Sequence, residues 1–188
     1  THSNIKIWLL DNIKHIINDI VSDIDSTLRL FADDSILYRE VTRPEDQATL
    51  QKDLNKVFQW ADQWQMCFNA SKCEALTITR KLKPLNHTYE VNGQHIARSS
   101  KHKYLGVTVN HHLDWKDHVL NITASARSTL GILRRNLLSC PVEVKTRAYQ
   151  ALIRPKLEYA SASWNPYVNE QVNLLESVQR QAARFVLN

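Results

Sequence analysis

The sequence predicts an α+β fold: a small antiparallel sheet with helices over residues 1–112, then an all-helical region over 113–188. Three observations carry this expectation. Short apolar, β-compatible runs joined by turn residues occur only before residue 112, and after Asp114 apolar residues recur every three or four positions instead. The third is composition: 188 residues, 43% hydrophobic and 23% charged, with only three Gly and five Pro, describe a chain able to bury a core rather than a linker or low-complexity tract.

Taken in order, Ile5, Trp8, Leu9 and Ile13, continued by Ile16, Ile17 and Ile20, have helical spacing, so a first helix into the low twenties is expected. Thr27–Ala32 and Ser35–Tyr38 read as two strands of a hairpin joined at Asp33-Asp34, short polar residues tolerant of positive φ. Thr42-Arg43-Pro44-Glu45 reads as a capping box with proline in the first turn. Behind it Leu50, Leu54, Val57, Phe58, Ala61 and Trp64 define a helix over 43–64. Ala75–Thr79, Tyr89–Val91 and His102–Val109 read as further strands, Asn92-Gly93 supplying a turn. Helical patterns follow over 115–136, 141–160 and 168–187, punctuated by Pro141 and Pro166, and Pro155 predicts a break inside the second.

Composition also bounds function. No apolar run is long enough to span a membrane, and Lys6, Asp11, Lys14, Asp19, Asp23 and Asp25 interrupt what would be the apolar core of a signal peptide. The expectation is an intracellular protein, nuclear or cytoplasmic, with no membrane partner. Three cysteines without a C-x-x-C pair argue against a disulfide framework and a zinc knuckle. His111, His112 and His118 match no zinc spacing either and read as loop histidines. The net charge of +5 is uneven: up to Asn92 there are 11 Lys+Arg against 13 Asp+Glu, and beyond it 13 against 6. A basic C-terminal half carrying Arg127, Arg134, Arg135, Lys145 and Arg147 on its helices suits a phosphate backbone, whose neutralisation releases counterions. Trp60, Trp64, Trp115 and Trp164 offer flat rings on which bases can stack, but Trp60 and Trp64, four apart on or beside the apolar helix face, are read as core or interface anchors.

Adjacent aspartates between apolar strands repel one another, and a divalent cation removes that cost. Hard cations such as Mg²⁺ take carboxylate oxygens together with substrate phosphates, so Asp33-Asp34 suits phosphoryl transfer on nucleotides.

The block Leu28-Arg29-Leu30-Phe31-Ala32-Asp33-Asp34-Ser35-Ile36-Leu37-Tyr38 resembles the catalytic hairpin of reverse transcriptases, in the Phe-Ala-Asp-Asp form of non-LTR (LINE-type) retrotransposons. Further blocks agree in order: Ile17-Asn18-Asp19-Ile20 before it, the capped helix with Trp60 and Trp64 after it, Asn69 through Lys72, and Lys103-Tyr104-Leu105-Gly106-Val107. Leu113-Asp114-Trp115 with His118, Arg154 through Ala160, and Leu175 through Arg180 resemble the helical region that follows the palm in these elements.

The resemblance implies a partial polymerase palm over 1–112 and a helical thumb-like region over 113–188. It implies Asp33 and Asp34 as metal-binding catalytic residues, Lys72 near the leaving pyrophosphate, and Tyr104, Leu105 and Gly106 as a primer grip. It implies an RNA template and an RNA/DNA hybrid as partners, and Mg²⁺, or Mn²⁺ in its place, as cofactor once the site is completed. Family members carry a first metal-binding aspartate on an upstream strand, and a Gly- and Gln-containing stretch that residues 1–15 do not reproduce. The match therefore begins part-way into the palm, as in a truncated copy joined to other N-terminal sequence. A two-metal site needs carboxylates from more than one element. The expectation is thus a fragment of an RNA-directed DNA polymerase, inactive without the fingers–palm portion, or alternatively a non-catalytic nucleic-acid-binding or scaffold module derived from one.

Overall fold

The computed structural model describes residues 2–8, 24–31, 34–65, 73–81 and 87–187. It divides into two compact units, Thr1–Gly106 with Asn110–Leu113, and Val107–Val109 with Asp114–Asn188.

In the first unit, β1 (His2–Trp8), β2 (Thr27–Phe31), β3 (Asp34–Glu40), β4 (Glu74–Ile78) and β7 (Ala97–Ser99) form a sheet in the order β2-β3-β1-β4-β7. β1 lies antiparallel to both β3 and β4. The crossover from β3 through α1 (Pro44–Gln63) to β4 therefore spans β1, which makes a split β-α-β unit. β4 and β7 pair parallel. β5 (Glu90–Val91) and β6 (Gln94–His95) are joined by Asn92 and Gly93, both at positive φ (50° and 75°), the mirror-image turn that Asn-Gly favours.

Over residues 2–8 the first strand overturns the helix expected into the low twenties. Ile5 and Ile7 alternate with Asn4 and Lys6, so the sequence satisfies a period of two as well as a helical stripe, and pairing on both edges favours the strand. Residues 9–23 lie outside the described residues.

Register explains how the sheet sorts its side chains. Leu28 opposes Leu37, and both are buried against Leu50, Leu54, Val57 and Phe58 of α1. Each such buried aliphatic or aromatic side chain contributes about 1.5–3 kcal/mol by leaving water. The alternate pairs, Arg29 with Ile36 and Phe31 with Asp34, take the opposite face. α1 begins one residue later than the expected capping box. Pro44 occupies the first turn without an N–H to lose, Arg43 is the N-cap, and the acid three residues on is Asp46 rather than Glu45. Its carboxylate accepts from the backbone N–H groups of Thr42 (2.9 Å) and Arg43 (2.9 Å) and from the Thr42 hydroxyl (3.0 Å). Those bonds hold its pKa down to about 2. Asp53, fully buried on the core face of α1, accepts from the Ser26 backbone N–H at 2.8 Å and so ties the start of β2 to the helix.

The expected strand over His102–Val109 is two strands, β8 (Lys101–Tyr104) and β9 (Val107–Asn110), because Leu105 and Gly106 between them both take positive φ (45° and 84°).

In the second unit, α2 (Lys116–Asn136), α3 (Val142–Leu152), α4 (Arg154–Glu158) and α5 (Asn169–Leu187) bury one core: Ala126, Leu130 and Leu133 from α2, Ile153 and Leu157 around the α3–α4 break, and Val178, Ala182 and Phe185 from α5. The break falls at Ile153, ahead of Pro155, as a proline without an N–H requires. Arg127 donates to the Ser177 hydroxyl (2.7 Å) and Arg134 to the Gln181 carbonyl (3.0 Å), one turn apart on α5. His118 is buried rather than in a solvated loop. Its Nδ1 accepts from the Thr108 N–H (3.2 Å), which leaves the proton of the neutral ring on Nε2, and its ring meets Trp164 edge-on at 4.6 Å.

Candidate functional site

Asp34 is the first residue of β3 rather than part of the hairpin tip: it pairs with Phe31 on β2 and with Trp8 on the central strand. Asp33 lies outside the described residues, as does Lys72. The α1-packed face carries Leu28 and Leu37, so Asp34, Arg29 and Tyr38 belong to the face that the helix leaves uncovered.

β8 runs on that same side. Glu74, at the start of β4, sits 2.9 Å from Nδ1 of the buried His102, and two residues further along β8 the charges of Asp34 and Arg29 act on the phenol of Tyr104. Burial raises the Tyr104 phenol above its ordinary pKa. The Asp34 carboxylate adds to the rise, and the Arg29 guanidinium opposes it. Tyr104 therefore stays a neutral hydroxyl, able to donate a hydrogen bond at physiological pH. Two positions singled out separately in the sequence, Asp34 and Tyr104, are brought together electrostatically. Leu105 and Gly106 form the turn just beyond, where two consecutive positive φ values reverse the chain sharply.

The donor set decides whether these residues fit a metal pair. Two cations about 3.5–4 Å apart need carboxylates from adjacent elements. In the sheet register the residues paired with Asp34 are Trp8 of β1 and Phe31 of β2, neither of them an acid. Glu74 lies two strands over and two residues along, about 12 Å away at ordinary sheet spacings. Among the described residues no cluster of three or more His, Cys, Asp or Glu is arranged to hold a metal ion. The described side chains therefore do not fit a two-metal centre.

The basic residues separate by environment. Arg135 and Arg147 are exposed on α2 and α3. Arg127 and Arg134 are exposed but engaged with α5. Lys145 is only 3% exposed, its ammonium 5.8 Å from the centroid of the Phe185 ring, a cation–π contact that withdraws it from any surface partner. Sequence reasoning passed over Asp53 and the Glu74–His102 pair. An acid on the apolar face of a helix was the available signal for the first.

The family model for reverse transcriptase (RNA-dependent DNA polymerase) matches residues 9–109, more than half of the chain. The chain belongs to the reverse transcriptase family. An RNA-directed DNA polymerase from mobile element jockey of Drosophila funebris is 26% identical over 162 residues, covering 83% of this chain and 17% of that protein. The jockey polymerase of Drosophila melanogaster is 27% identical over 172 residues (88% and 18%). A probable RNA-directed DNA polymerase from transposon X-element of the same fly is 24% identical over 169 residues (86% and 18%). The chain thus spans less than a fifth of the length of these reverse transcriptase relatives. No solved structure matches it. The resemblance to non-LTR retrotransposon polymerases read from the sequence is borne out, and so is an α+β fold. Among the described residues no helix is long and apolar enough to cross a membrane.

Proposed function

We propose that this chain is the C-terminal palm and thumb-like part of a retrotransposon RNA-directed DNA polymerase, and that by itself it holds nucleic acid without extending a primer. One observation carries the second half of this reading: Asp34 has Trp8 and Phe31, not carboxylates, as its neighbours across the sheet. Asp33 and Asp34 are the metal-binding pair by family resemblance, with Lys72 beside the leaving group. They would hold Mg²⁺ only together with a further carboxylate from outside the described residues, and the ion would there offset charge on the substrate phosphates. Tyr104, Leu105 and Gly106 grip the primer end on the face that α1 leaves open. The RNA/DNA hybrid is the partner, and the exposed Arg135 and Arg147 contact its phosphates.

Fluorescence anisotropy of a labelled RNA/DNA hybrid, titrated with the chain at 50 and 200 mM salt, tests the binding half. The expected result is salt-dependent binding of equal strength in the native chain and in the Asp33→Asn/Asp34→Asn double variant. No binding at either salt concentration, or binding that the double variant loses, would contradict it.

A further inference from the structure

In the first unit, the end of β4 and the turn after β9 border an open cleft of about 380 Å³ that no reading of the polymerase site uses. Its walls carry Arg80 and Lys81 from one segment and His111 and His112 from the other, with no acid among the lining residues. Nor does any acid form an ion pair with Arg80 or Lys81 among the described residues.

The backbone builds this cluster deliberately. The Thr79 N–H donates to the His111 carbonyl (3.0 Å), joining the two walls, and the Lys81 N–H donates to the Thr79 hydroxyl (3.0 Å). The His111 N–H and its Nδ1–H both donate to the Ser100 carbonyl at 3.0 Å, which fixes the ring and leaves Nε2 as its remaining polar atom. The His112 N–H donates to the Asn110 side-chain oxygen (3.2 Å), and the two imidazoles lie with centroids 3.8 Å apart, tilted 42° to one another. Two fixed cations, gathered in one concavity beside two imidazoles, repel one another. They also focus a positive potential that an anion relieves.

We propose that this cleft binds a phosphate group, with Arg80 and Lys81 as charge partners and the His112 ring as a further donor beside them. The space, roughly that of a dozen waters in the liquid, accommodates a phosphate with its attached sugar. The arginine fork matches two phosphate oxygens at once. The source of the phosphate is the backbone of a bound strand, which rests on the nucleic-acid reading above, or a free phosphate ion.

The test follows the imidazole resonances of His111 and His112 by NMR as inorganic phosphate or a short single-stranded oligonucleotide is added, beside anisotropy of the hybrid with an Arg80→Gln/Lys81→Gln variant. Both residues are exposed, so this variant is expected to fold. The expected result is a shift of both rings at micromolar oligonucleotide, with the double variant weakening hybrid binding about tenfold and lowering its salt slope by roughly 1.8. Rings saturated by inorganic phosphate as readily as by oligonucleotide would assign the site to the free ion. Rings that respond to neither would overturn the inference. If hybrid binding survives unchanged in the variant, the nucleic-acid reading stands and the cleft is not part of it. If phosphate moves the rings while the hybrid does not bind at all, the cleft stands and that reading falls.

Discussion

Removing the Asp53 carboxylate should loosen the hairpin that carries Asp34. Asp53 is fully buried, and its Oδ2 accepts from the Ser26 N–H at 2.8 Å, immediately before β2. A hydrogen bond to a charged acceptor contributes about 1.5–3 kcal/mol, and Asp53→Ala also strands the Ser26 donor in a half-buried place. The 3.8 Å pair with Lys56, a third exposed on the lysine side, adds little. Relief from burying a carboxylate offsets part of the loss, so the expected destabilisation is about 2 kcal/mol for Asp53→Ala. For Asp53→Asn, which keeps an acceptor oxygen, it is about 1 kcal/mol. Urea unfolding combined with amide exchange at Leu28 and Leu37 reads the effect, while amides of Ala126 and Leu130 in the second unit serve as the control. Asp53→Ala within about 0.5 kcal/mol of the native chain would refute the reasoning.

Asp46 gives a pH dependence with a definite sign. Its folded pKa of about 2 lies below the ordinary 3.8, so its stabilisation is complete above pH 4 and is lost as pH falls toward 2. Urea midpoints measured across that window should fall more steeply for the native chain than for Asp46→Asn. Gly131 lies inside α2, where an added Cβ meets only the Arg135 guanidinium at 3.9 Å, so Gly131→Ala should raise stability by about 0.5–1 kcal/mol. Gly93→Ala meets no atom within 4 Å but sits at φ +75°, and should cost about 1 kcal/mol, measured by thermal unfolding. Lys145→Ala should destabilise the second unit by about 1–2 kcal/mol, through lost packing and cation–π contact, and leave the salt slope of hybrid binding unchanged. Arg135→Ala and Arg147→Ala should each lower that slope by about 0.9 at most.

What the sequence made legible follows the strength of local signals. The hairpin strands, α1, the Asn92-Gly93 turn and the three helical stretches were readable because apolar spacing and turn chemistry agree there. Residues 2–8 misled because isoleucines at 5 and 7 satisfy two periods, and only pairing with β3 and β4 decides between them. β7 gave no signal. Ala97-Arg98-Ser99 is a strand because β4 lies beside it, a tertiary effect. At the site, Asp34 was readable from its flanks, whereas its electrostatic pairing with Tyr104 is created by the course of β8. Lys145 read as a surface cation because a sequence does not reveal that its ammonium lies over Phe185.

The most direct test of the central claim is primer extension on an RNA template with Mg²⁺ and deoxynucleotides, comparing the chain alone with its Asp33→Asn/Asp34→Asn variant. The sheet register pairs Asp34 with Trp8 and Phe31 rather than with a second acid, so the account predicts no extension by either protein. Extension by the native chain that the double variant abolishes would show that another acid of this chain completes the metal site, and would contradict the account.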